Sequence, residues 1–125
     1  MIFGIGTDIV QIKRMRDSLE KFGDKFARRI LAESEFTEFK QVTNKASYLA
    51  KRFAAKEATA KAMGTGFTAG LSLQHIAVNH DDAGKPILDF YELAKIFKDK
   101  NGIKRTHISL SDERDYAIAF VTLEL

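Results

Sequence analysis

At 125 residues, 45% of them apolar and one a proline, the chain has the size for a single domain, residues 1–125, with one core. The absence of cysteine excludes disulfides and thiolate metal sites, and no apolar run approaches the roughly 18 residues of a membrane span. A net charge of +3 hides two basic stripes, Lys13 to Arg29 and Lys40 to Lys61. These suit an acidic partner (nucleic acid, anionic lipid, acidic protein or phosphorylated small molecule) and equally a solvated helix face.

Ile2 to Ile12 alternates with apolar residues on both sides, which predicts a strand covered on both faces; Gly4 and Gly6 suggest close backbone approach. Phe22, Phe26 and Ile30 then recur at helical spacing, with Asp24 as the expected N-cap, and Glu33 to Lys40 reads as another short helix. Asn44 or Lys45 to Met63 is the long helix, its apolar stripe built from Tyr48, Leu49, Phe53 and alanines. Gly64 and Gly66 supply the backbone freedom that ends it. Ile76 to Asn79 is a short strand, and a turn at Asp82 to Pro86 leads into Ile87-Leu88. Phe90 to Lys98 is expected to be helical. Thr106 to Ser111 alternates, with His107, Ser109 and Ser111 on one face, and forms a hairpin with Tyr116 to Leu123. The order predicts an α+β domain, a mostly antiparallel sheet packed against one long helix and shorter ones.

Asp8 stands out as a carboxylate inside an apolar strand, a costly placement without a cation or donors. A salt bridge to Lys13 or Arg14 would answer that need, and so would a metal ion. Glu57 and Lys61 are one turn apart, the spacing of an ordinary surface ion pair. Their alanine and aromatic setting points instead to a half-buried helix. Asp8 with Glu57 matches a magnesium site, which uses one or two carboxylates and leaves positions for water and phosphate. His107 and Ser109 are placed to donate to phosphate oxygens, or to form a polar solvent face. A nucleic-acid module would use the same basic residues but would expose aromatics among them for stacking. Here the phenylalanines keep helical core spacing. The start, Met1-Ile2-Phe3-Gly4, has no basic leader, so a soluble cytoplasmic protein is expected.

Two segments together resemble a known family. Gly6-Thr7-Asp8-Ile9-Val10 followed by Arg14, and Phe53-Ala54-Ala55-Lys56-Glu57-Ala58-Thr59-Ala60-Lys61-Ala62-Met63-Gly64, are similar to the two signatures of the 4′-phosphopantetheinyl transferases. The length and the His107-Ile108-Ser109-Leu110-Ser111 strand match its short bacterial class, and the similarity runs from Ile2 to about Val121. Ser111-Asp112-Glu113-Arg114 departs from relatives that often carry a histidine there. The resemblance implies transfer of 4′-phosphopantetheine from coenzyme A to a serine of apo-acyl carrier protein, in support of fatty acid biosynthesis. It also implies a homotrimer with coenzyme A held between protomers. By position it makes Asp8 and Glu57 magnesium ligands and places Lys61 near the diphosphate; Asp8, Glu57 and Lys61 are then the expected catalytic set, with Glu57, directly or through a water, the expected base for the carrier serine. Lys61, Gly64, His107, Ser109 and Arg52 are expected to meet coenzyme A, with Lys56 a further candidate for its 3′-phosphate. Arg14, Lys25, Arg28 and Arg29 are expected to meet the acidic helix of the carrier.

Overall fold

The first strand and the longest helix touch at backbone distance, and two glycines make this possible. In the computed structural model, which describes residues 1–125, the chain begins with β1 (Ile2–Gln11), α1 (Ile12–Phe22), α2 (Asp24–Ile30), α3 (Glu33–Phe39) and α4 (Lys45–Met63). A single 3-10 turn at Leu73–His75 leads to β2 (Ile76–His80) and β3 (Pro86–Phe90). The chain closes with α5 (Glu92–Lys100), β4 (Arg105–Asp112) and β5 (Tyr116–Glu124). Every strand pairing is antiparallel. β5 is the middle strand of a β1–β5–β4 sheet, and β2–β3 is a separate hairpin. The α+β architecture expected from the sequence is the one found.

α4 lies across the three-stranded sheet. Asn44 caps its start by accepting a hydrogen bond from the Ser47 amide at 3.1 Å, and Gly64, at φ 80°, ends it in the left-handed region. Ala54, Ala58 and Ala62 are buried on the helix, and Ala117, Ala119, Val121 and Leu123 are buried on β5. A Cβ on Gly4 would lie 1.9 Å from the Ala62 carbonyl oxygen, and one on Gly6 would lie 1.9 Å from that of Ala58. Only glycine permits this approach. On the far side of α4 its own Leu49, Phe39 of α3 and Ile76 of β2 belong to the same core, each fully buried and each contributing about 1.5–3 kcal/mol through burial.

A buried ion pair joins three of these elements. Lys56 Nζ donates to Glu35 Oε1 at 2.6 Å, to the Leu73 carbonyl at 3.0 Å and to the Ile76 carbonyl. Glu35 also accepts from the Ala32 and Val78 amides, each at 2.9 Å. Burial draws the Lys56 ammonium below the usual lysine range, and Glu35 opposes that pull. All three ammonium donors have acceptors, the condition under which a buried charge is tolerated.

The structure corrects four expectations. β1 is covered on one face only: Val10 is buried, but Ile5 and Ile9 are 60% and 59% exposed. The Phe22-Phe26-Ile30 repeat is not one helix, because Gly23, at φ 64°, breaks it and leaves Phe22 exposed. A separate helix, α1, precedes that break. Asp24 is not a cap; it opens α2 and bonds Lys40 at 2.6 Å. Phe90 ends β3, and the following helix starts at Glu92.

Candidate active site

Asp8 follows Gly4 and Gly6 on the face of β1 that lies against α4, where Glu57 and Lys61 stand one turn apart. The Lys61 ammonium bonds Asp8 Oδ1 at 3.1 Å and the Thr7 carbonyl at 3.0 Å. The ordinary alternatives are not realised: Lys13 pairs with Asp17 at 2.7 Å, and Lys61 turns to the strand rather than to Glu57. Burial holds the Glu57 carboxyl above the usual range, the charge of Asp8 pushes it further, and Lys61 partly offsets both. Two carboxylates therefore share one electrostatic environment at the open edge of the sheet. Such a pair is relieved by a divalent cation. No third His, Cys, Asp or Glu joins them. That donor set is too small for an all-protein calcium cage and fits magnesium, which retains water and substrate oxygens.

His107 and Ser109 project on the opposite side of the same sheet. Ser109 pairs with Phe120, which is exposed, whereas Asp8 pairs with Ala119, which is buried under α4. His107 Nε2 lies 3.1 Å from Glu124 Oε1, and Arg105 Nε lies 3.2 Å from the same oxygen. The His107 hydrogen bond, then Arg105, hold the Glu124 carboxyl below its usual range. Beside His107 is a cleft of about 380 Å³ bordered by Ser109, Lys85, Pro86, Ile87 and Phe120.

A family model, the 4′-phosphopantetheinyl transferase superfamily, matches residues 4–121, the span that contains Asp8, Glu57, Lys61, His107 and Ser109. The chain belongs to this superfamily. It is 50% identical over 125 residues to a holo-[acyl-carrier-protein] synthase of Dechloromonas aromatica, covering 99% of this chain and 98% of that protein. Among solved structures it resembles the Neisseria meningitidis holo-[acyl-carrier-protein] synthase at 47% identity and TM-score 0.94, with both chains fully covered. It also resembles the Bacillus anthracis holo-(acyl-carrier-protein) synthase solved in complex with CoA (3′,5′-ADP), at 39% identity and TM-score 0.83, covering 99% and 97% of the two chains.

Within this superfamily member the remaining candidates separate. Arg14 and Arg29 border one groove of about 330 Å³, whose apolar wall includes Met15, Phe26 and Phe53. Arg28 instead packs its guanidinium 4.0 Å from the Phe36 ring centroid, beside a different cleft, and Lys25 is exposed. Arg52 is not a free phosphate ligand. Its side chain is 5% exposed, stacked 3.9 Å from the Tyr48 ring centroid and bonded to Glu38 at 3.1 Å. Lys56 is likewise consumed by Glu35. Both looked available because a basic residue in a helical stripe carries no mark of which way it faces. Two further groups escaped the sequence reading: the Thr7 carbonyl that anchors Lys61, and the Thr65 hydroxyl, buried without a partner next to Gly64.

Proposed function

We propose that the chain transfers the 4′-phosphopantetheine group of coenzyme A to a serine hydroxyl of apo-acyl carrier protein, releasing adenosine 3′,5′-bisphosphate. The convergence of Asp8, Glu57 and Lys61 at one edge of the sheet carries this reading. Asp8 and Glu57 would hold magnesium, which when bound supplies positive charge to the diphosphate. Glu57 accepts the proton of the carrier serine as the serine oxygen bonds to the pantetheine phosphorus. The bond from that phosphorus to the bisphosphate oxygen breaks, and the Lys61 ammonium faces the charge that develops there. Thr7 holds Lys61 in place through its carbonyl. Catalysis of this kind depends chiefly on positioning and charge neutralisation.

The bare side of the sheet supports a homotrimer. Ile5, Ile9, Ile118 and Phe120 are 60%, 59%, 41% and 47% exposed there, a contiguous apolar surface suited to burial against another copy. His107 and Ser109 share that bare side while Asp8 faces α4, so a single coenzyme A is best met by groups from two protomers. Gly64, after the helix that carries Lys61, belongs to the same proposed site. The Arg14–Arg29 groove suits a carrier helix bearing acidic and apolar side chains, with Lys25 and Arg28 adding positive potential around it. A cytoplasmic location and a role in fatty acid biosynthesis belong to the same reading.

The deciding experiment is mass spectrometry of an apo-carrier protein after incubation with this chain, coenzyme A and magnesium. A gain of roughly 340 Da, the mass of one attached group carrier, is expected. An unmodified carrier would overturn the proposal.

A further inference from the structure

Gly4 and Gly6 stand two apart on the face of β1 that carries Asp8, while Ala58 and Ala62 stand one turn apart on α4. Two strand residues advance about 6.8 Å and four helical residues about 6 Å, so the two pairs stay in step along the contact. Backbone meets backbone there. Besides the Ala58 carbonyl at 1.9 Å, a Cβ on Gly6 would lie 2.8 Å from the Ala62 nitrogen. Those helical groups are held in the hydrogen-bond ladder and have no flexible end to swing aside. A side chain at Gly6 must therefore lift the strand off the helix. Asp8 is the next residue on that face of the strand. Glu57 and Lys61 immediately precede Ala58 and Ala62 on the helix, and Lys61 already bridges the two elements through Thr7 and Asp8.

We propose that Gly6, supported by Gly4, is a positioning residue that sets the gap between the Asp8 and Glu57 carboxylates and so favours a small divalent ion over a larger one. This rests on the reading of those two carboxylates as magnesium ligands. Magnesium requires oxygens at about 2.0–2.1 Å in near-octahedral order, whereas calcium accepts about 2.3–2.6 Å and looser geometry. A strand held at backbone contact keeps the carboxylates close. A strand lifted by one methyl group leaves them too far apart for the short bonds of magnesium, while the longer bonds of calcium still span them.

The test is calorimetric titration of the full chain with magnesium chloride and, separately, calcium chloride, alongside circular dichroism to establish folding. Gly6→Ala is expected to lose about 10-fold or more in magnesium affinity, the size of effect seen when supporting residues of a metal site are altered. Its calcium affinity should change much less. Adding Asp8→Glu, whose longer arm reaches back across the gap, should recover magnesium binding. A folded Gly6→Ala with the wild-type magnesium-to-calcium ratio would overturn the inference alone. So would a loss of magnesium affinity that Asp8→Glu does not repair. Should Gly6→Ala not fold, Glu57→Asp widens the gap by one methylene without adding an atom to the contact between strand and helix. The same shift toward calcium then supports the inference, and an unchanged ratio overturns it. Wild-type protein that binds neither ion would overturn the metal reading and this inference with it.

Discussion

Lys61 Nζ lies 3.1 Å from a carboxylate oxygen of Asp8, a residue 53 positions earlier in the chain. The contact joins the two sequence signatures directly, strand to helix. Lys61 is more than half exposed, and an exposed pair of this kind is worth about 0–1 kcal/mol to stability. In the proposed function its value lies in charge placement. Lys61→Met is expected to lower turnover by about 10²-fold or more, the scale of losing one aligned charge donor. Its urea denaturation midpoint should stay close to wild type. Rapid-quench turnover assays beside urea titrations would check both parts.

Glu57 makes a pH-dependent prediction. Its folded pKa is raised above the ordinary 4.5, mainly by burial and secondly by Asp8. The folded protein therefore holds this proton more tightly than the unfolded chain. The stabilising contribution is complete below the unfolded value and is lost as pH rises through the folded one. At neutral pH, without metal, ionised Glu57 is a burden on the fold. Glu57→Gln should be the more stable protein near pH 7, with its advantage shrinking in acid, while turnover falls about 10²–10⁴-fold. Equal stability differences at both ends of the pH range would contradict the assignment.

The two basic residues that share the Phe26–Phe53 groove should act on the carrier and not on coenzyme A. Arg29→Glu is expected to raise the Michaelis constant for the carrier at least about 10-fold, since like charge placed against an acidic partner costs several kcal/mol. The constant for coenzyme A should remain near wild type. Steady-state kinetics with each substrate varied in turn would reveal an equal effect on both if the groove is not the docking surface.

Asp8 and His107 lie on opposite sides of one sheet, so the proposed assembly predicts complementation. Asp8→Ala and His107→Ala should each be inactive alone. Co-expressed, they should regain measurable activity, because some interfaces would combine an intact Asp8 with an intact His107. Light scattering should give a mass three times that of the chain. A monomer, or mixtures as inactive as their parts, would count against shared sites.

The buried pair behind Glu57 should be unforgiving of half-removal. Lys56→Met leaves Glu35 charged and unpaired in the core, an error of about 3–5 kcal/mol in related cases. Adding Glu35→Gln removes the stranded charge and should recover part of that loss. Chemical denaturation of the single and double variants would measure the coupling.

Much of this was legible in the residues themselves. Alternation fixed β4 and β5, alanine spacing fixed α4, and the glycines of β1 announced a close approach before the partner was known. Asp8 and Glu57 could be singled out because an acid in an apolar segment needs a reason. Direction was the illegible part. Arg52 and Lys56 carry the same charge as Lys61 on the same helix, yet one stacks on Tyr48, one is sealed against Glu35, and only Lys61 reaches the strand. The third dimension decides that, through packing partners remote in the chain. The bare face of β1 is illegible for a related reason: in sequence an exposed apolar residue such as Ile5 or Ile9 looks like a buried one.

The central position of β5 has a consequence for synthesis. Asp8 emerges early from the ribosome, but its strand is held by β5, whose residue Ala119 lies opposite it. Until that late segment appears, β1 has no strand with which to pair, and the acidic pair has α4 but no sheet behind it. Nascent chains should therefore be inert toward coenzyme A, and the long-range closure that completes the sheet should be the slow step of folding.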